Sequence, residues 1–160
     1  MTVNEMEDIK KIYNMLYWKN PIELQLQGVY MLKNISDLSL LIVPPACASV
    51  WGWCATVLCW KTDAELSPYL GRLLVWLHDL TYPGAEEILE RLKVYRGDDL
   101  KDHLETIVSN AVAVPSYENL AWLDYLSELL DNQTLKPSLS PEIVEILQLH
   151  YKKWGEWRCM

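Results

Sequence analysis

Ser67-Pro-Tyr-Leu-Gly-Arg-Leu-Leu-Val-Trp-Leu-His-Asp-Leu-Thr-Tyr-Pro-Gly-Ala-Glu-Glu-Ile-Leu-Glu-Arg-Leu92 is the stretch on which the fold turns. Its apolar residues do not alternate. Leu70, Leu73, Leu74 and Leu77 recur at i, i+3, i+4 and i+7, which gathers their side chains on one face of an α-helix. Ser67-Pro68 supplies a start, since Ser accepts from the free N–H groups of a first turn and Pro lacks an N–H to satisfy there. Tyr82-Pro83 restarts the chain within a few residues, and Ala85, Ile88, Leu89 and Leu92 form a second stripe. Two amphipathic helices joined this tightly must lie side by side.

The same punctuation extends in both directions. Asn4-x-x-Glu7 and Thr62-x-x-Glu65 have the form of capping boxes. Asn20-Pro21 and Ser140-Pro141 repeat the cap-plus-proline start, Ser36 offers a cap for Asp37 to Ile42, and Asp98 offers one after the turn at Arg96-Gly97. Pro115-Ser116 separates a helix ending near Ala111 from one carrying Leu120, Leu123, Leu126, Leu129 and Leu130, and Gly155 marks an expected stop. No run alternates at period two for long enough to make a strand. The pattern predicts a single all-α domain over residues 1–160, with about seven to eight antiparallel helices. Proline-led starts at Pro21, Pro68, Pro83 and Pro141 suggest helical hairpins, although their spacing is too irregular to prove a repeat.

Leu38 to Trp60 carries no charge over 23 residues, long enough to span a bilayer. Pro44-Pro45 interrupts it, however, and consecutive prolines break the hydrogen-bond ladder that a lipid-facing helix needs. The expectation is a short helix, a break and a buried second helix. Cys47, Cys54, Cys59 and Cys159 form no C-x-x-C pair, which suits reduced thiols of a cytosolic protein better than a disulfide framework. Met1 to Trp18 mixes charges with apolar residues and lacks the apolar core of a signal peptide.

The net charge is −8, and it is not spread evenly. Asp79 to Asp131 holds twelve acidic residues against four basic ones, while the remainder balances at ten of each. Nucleic acid and acidic membrane surfaces are therefore disfavoured as partners, because both require a basic face. The acidic half is either a solvated surface or a surface that attracts a basic protein. Eight Trp and nine Tyr with no Phe lean mildly towards binding, since both rings combine an apolar body with a polar tip.

Catalytic patterns are missing from the sequence. His78, His103 and His150 share no metal-ligand spacing, and neither a phosphate-binding glycine loop nor a G-x-S-x-G elbow occurs. The neighbouring acids Glu86-Glu87 and Asp98-Asp99 point about 100° apart on a helix, so each pair suits a first helical turn better than acid–base work. No cofactor and no metal are expected, and no enzymatic activity.

Tyr69 to Leu92 resembles the core of a bacterial family of HEAT-like repeat proteins of unknown function. The family pattern is Trp-Leu-x-Asp, two residues, then aromatic-Pro-x-Ala, matched here by Trp76, Leu77, Asp79, Tyr82, Pro83 and Ala85. Trp122 to Leu130 looks like its closing helix, so the likeness covers residues 62–132. The resemblance implies an α-α superhelix, and some similar proteins sit beside bacterial toxins as candidate immunity proteins. A protein-binding module follows as the leading expectation, with a basic toxin as one partner. Its expected contact residues are Asp79, Glu86, Glu87, Glu90, Asp124 and Glu128, with Trp76, Tyr82 and Trp122 as apolar anchors. The rival expectation is a scaffold that self-associates through Trp51 to Trp60.

Overall fold

The computed structural model describes the backbone of residues 3–160 and side chains from residue 5 onward. Eleven α-helices follow in order among the described residues: α1 (Val3–Met15), α2 (Ile22–Leu32), α3 (Ala48–Cys59), α4 (Asp63–Leu66), α5 (Leu70–Trp76), α6 (Ala85–Lys93), α7 (Leu100–Ala113), α8 (Tyr117–Ser127), α9 (Leu135–Ser138), α10 (Pro141–Gln148) and α11 (His150–Arg158). Three 3-10 turns join them, at Leu38–Leu41, Ser67–Tyr69 and Glu128–Asp131, and no strand occurs among the described residues. The chain is all-α. It has more pieces than the seven to eight helices expected, because Pro68 tightens the chain between α4 and α5 and because α10 and α11 break at Leu149.

Helices that follow one another pack together (α1 with α2, α2 with α3, α7 with α8), and so do helices two or three apart. α3 packs on α6, α5 on α7, and α7 on α10, while α8 receives α10 and α11. One continuous buried cluster runs from Ile9 to Leu147 and takes in the leucines of both stripes that define the central hairpin. Leu38 to Trp60 takes the expected form of a 3-10 turn, a proline break and a helix, with Val50, Cys54, Ala55, Val57 and Leu58 of α3 buried. No helix among the described residues is long and apolar enough to cross a membrane.

The start signals fared unevenly. Thr62 and Glu65 close a complete capping box, each side chain bonding the other's backbone N–H. Ser116 accepts from the N–H of Asn119, as a cap should. Asn20, expected to open α2, instead donates from Nδ2 to the carbonyls of Asn14 and Met15, so it finishes α1. Asp37 rather than Ser36 caps the turn at Leu38–Leu41, accepting from the N–H of Ser39. Asp99 rather than Asp98 precedes α7, where its carboxylate takes hydrogen bonds from Ser67 and Tyr95. α11 continues through Gly155, whose added Cβ would meet nothing within 4 Å. The expected box at Asn4 involves a side chain outside the described residues.

Two residues fix the middle of the molecule. Gly84, at φ +82, lies against α3, where a Cβ would fall 2.5 Å from that of Ala55 and 3.1 Å from the carbonyl oxygen of Trp51. Only glycine permits both that left-handed conformation and that approach. Asn132 is fully buried at the end of the 3-10 turn after α8. Its Nδ2 donates to the carbonyl of Leu92, in the last turn of α6, and to that of Tyr95 just beyond it, and its Oδ1 accepts from the N–H groups of Thr134 and Leu135. A polar side chain taken wholly out of water is stable only when its capacity is filled in this way.

Candidate functional site

The acidic ridge begins with the pattern of α6. Ala85, Ile88, Leu89 and Leu92 face inward, which turns Glu86, Glu87 and Glu90 outward. Glu86 and Glu87 occupy the first turn, where carboxylates favour the positive end of the helix dipole, and Arg91 and Lys93 occupy the last. α6 packs against the 3-10 turn at Glu128–Asp131, so Glu128 and Asp131 come alongside Glu90.

Lys93 holds these three acids together. Its Nζ lies 2.8 Å from Glu90, 3.1 Å from Glu128 and 3.8 Å from Asp131, on a side chain only 16% exposed. Glu90 foremost, then Glu128, hold this ammonium above the usual lysine range against the opposing pull of burial. Glu86 and Glu87 make no side-chain hydrogen bond or ion pair among the described residues. Beside them lies an open depression of about 430 Å³, lined by Cys59, Glu86, Glu87, Glu90 and Arg91. Arg91 does not neutralise it, because its guanidinium turns to Asp63 at 2.6 Å and to the carbonyl of Lys61.

Of the nine expected contact residues, four therefore share this ridge: Glu86, Glu87, Glu90 and Glu128. Asp79 belongs to the connection between α5 and α6. It accepts from the N–H and hydroxyl of Thr81 at 2.8 and 2.7 Å, which hold its carboxyl below the usual range. It does not cap α6, which starts only after Gly84. Tyr82, in the same connection, is 42% exposed and meets Trp51 edge-on at 5.8 Å between ring centres.

The other three sit in packing. Trp76 is fully buried and donates from Nε1 to the carbonyl of Pro83, so it is a core residue and not an anchor for a partner. Trp122 is partly buried, satisfies the carbonyl of Leu74 and stacks edge-on with His78. Asp124 is held by the last helix: its Oδ1 lies 2.6 Å from Nδ1 of His150, and Nε1 of Trp154 reaches both of its oxygens at 3.1–3.2 Å. His150 and Trp154 are one turn apart on α11, so the carboxylate ties that helix to α8.

Sequence reasoning missed Lys93 and Asp131 as members of the ridge, although Asp131 follows Glu128 at i+3 and was within reach. It also missed the pairing of Asp124 with His150, 26 residues away, which no local spacing signals. The Trp51 to Trp60 segment offers little free surface. Trp51 donates to the carbonyl of Pro44 and Trp53 to Gln25, and only Trp60 is largely exposed, beneath the ammonium of Lys33. Among the described residues no group of three or more His, Cys, Asp or Glu is placed to hold a metal ion. All four cysteines are free, and burial pushes the Cys54 thiol up to about 12. No protein-family model, curated protein or solved structure matches the chain.

Proposed function

We propose that the chain is a non-catalytic binding module of stacked, HEAT-like helix pairs whose α6 ridge docks a basic protein, with a toxin neutralised in the cytosol as the leading case. The packing of helices two or three apart in the chain, α5 on α7 and α3 on α6, supports the stacked reading. The observation that carries the docking reading is the ridge itself. Two carboxylates without partners stand at one end and three more are gathered on a single ammonium, giving one continuous field of negative sign. Its steering effect acts on encounter rate, so affinity falls as salt rises.

The test uses the product of a basic gene adjacent to this one, with binding measured by titration. Reversing Glu86, Glu87 and Glu90 to Lys weakens binding at least tenfold, whereas reversing Glu142 and Glu145 on α10 leaves it unchanged. Co-expression of the native chain, but not of the reversed ridge, restores growth to cells making that product. Equal loss from both sets of reversals, or rescue by the reversed ridge, refutes the assignment.

A second reading, self-association, has one observation in its favour, and it lies away from the tryptophans first expected. Ile22, Leu26 and Tyr30 form an i, i+4, i+8 stripe on α2 that is 51–69% exposed. A shift from monomer to dimer on sizing at micromolar concentration, abolished by Leu26→Lys, would favour this reading over the ridge.

A further inference from the structure

α1 and the proline break before α3 leave a trough between them. One end is a cavity of about 380 Å³ reaching Tyr17 and Cys47, and the other is a cavity of about 370 Å³ walled by Met6, Ile9, Leu40, Ile42 and Val43. The two share Lys10, Tyr13 and Pro45 as lining residues, so they adjoin. Each lies within the roughly 300–1,000 Å³ range of small-molecule sites.

Its charge is opposite to that of the molecule. Lys10 lines both cavities and Arg72 the second, no carboxylate lines either among the described residues, and neither cation has a hydrogen-bond or ion-pair partner among them. Lys10 and Arg72 are the only formally charged side chains among the described residues that line the trough, so the charge it offers a ligand is positive. Val43, which lines the apolar end, is also the one non-glycine residue among those described with positive φ, at 45°. A β-branched side chain rarely adopts that conformation, and such strain persists only where the surroundings impose it. Here the next two residues are prolines, and the Tyr13 hydroxyl, donating to the carbonyl of Leu40, ties the loop down onto α1.

We propose that this trough binds a single-chain fatty carboxylate, its head between Lys10 and Arg72 and its chain against the apolar wall of Ile9, Ile42 and Val43. Apolar burial supplies most of the affinity and the paired cations select the head group. The trough does not depend on the α6 ridge, so the two assignments stand or fall separately.

The test is isothermal titration of the full chain with dodecanoate, kept below its micelle-forming concentration. Saturable one-to-one binding is expected, weakened at least tenfold in Lys10→Gln/Arg72→Gln and unchanged in Lys152→Gln. Dodecyltrimethylammonium, with the same tail and the opposite charge, is expected not to compete. Because both substituted side chains are exposed, circular dichroism of the double variant is expected to match that of the native chain. If that variant does not fold, the competition experiment with native protein decides alone. The proposal is overturned by absence of saturable binding, by equal competition from the cationic amphiphile, by a folded double variant that binds normally, or by binding to anionic phosphatidylglycerol vesicles without binding of monomeric dodecanoate.

Discussion

Replacing Asn132 by Ala removes four hydrogen bonds at once, two donated at 2.7 and 2.9 Å and two accepted at 2.9 and 3.0 Å. A typical bond contributes about 1 kcal/mol net, and a buried group left unpaired costs about 1–3 kcal/mol. Thr134 is exposed and its N–H can turn to water, and the Leu92 carbonyl keeps the N–H of Tyr95 at 3.2 Å, whereas Tyr95 and Leu135 are buried and have no such outlet. The four losses together come to about 3–5 kcal/mol, a large share of the roughly 5–15 kcal/mol that holds a domain folded. For a chain of this length about 1 kcal/mol shifts the melting temperature by roughly 2–4 °C, so Asn132→Ala melts about 6–20 °C lower. Asn132→Asp is a sharper version, since it keeps both acceptor bonds but loses both donors and sets an anion against two carbonyls. It should be at least as damaging at pH 7. Urea unfolding followed by circular dichroism measures both variants. A loss below about 1 kcal/mol for Asn132→Ala, or an Asp variant as stable as the native chain, refutes the reasoning.

Gly84→Ala should cost at least about 2 kcal/mol, from left-handed strain together with the clash on Ala55, again read by urea unfolding. For Asp63, burial pushes the carboxyl up, but the Arg91 guanidinium and the N–H of Arg96 outweigh it and hold the folded value below the usual one. Its stabilisation is therefore complete above the unfolded value of about 3.9 and lost as pH falls below that, through the folded value. The stability gap between native and Asp63→Asn protein accordingly closes below about pH 4, and a gap that stays constant from pH 7 to pH 3 would contradict this. Cys47 and Cys159 are exposed, whereas burial pushes Cys54 to about 12 and Cys59 to about 11. A thiol reagent at neutral pH should modify the first two promptly and the other two only slowly, and equal rates at all four would count against the packing of α3.

Helices were legible wherever the signal was local. The box at Thr62 and Glu65 spans three residues, and the leucine stripes of α5 and α6 repeat within single turns, so each could be read without knowing the rest. Direction was not legible. Asn20 carries the same side chain whether it opens α2 or closes α1, and the choice fell to carbonyls that only the folded chain brings near. The same limit explains the aromatics, because the pattern around Trp76 and that around Tyr82 look alike in sequence while one ring is buried and the other 42% exposed. Charge excess located the ridge but not its membership. Asp124 answers to a helix 26 residues away, and Lys93 acquires two of its three carboxylates only when the turn after α8 packs on α6. Lys10 and Arg72 line one cavity from 62 positions apart in sequence, with nothing at either to announce the other.

Lys93 behaves as a resident counter-ion. Three carboxylates that would repel one another are condensed onto one tethered ammonium, so they need no cation from solution to lie together. That half of the ridge is close to saturated, and a visiting guanidinium there must share acceptors already in use. Glu86 and Glu87 have no such tenant. Dissolved salt therefore screens the two ends unequally, and the ridge presents one vacant berth and one occupied one to whatever basic surface approaches it.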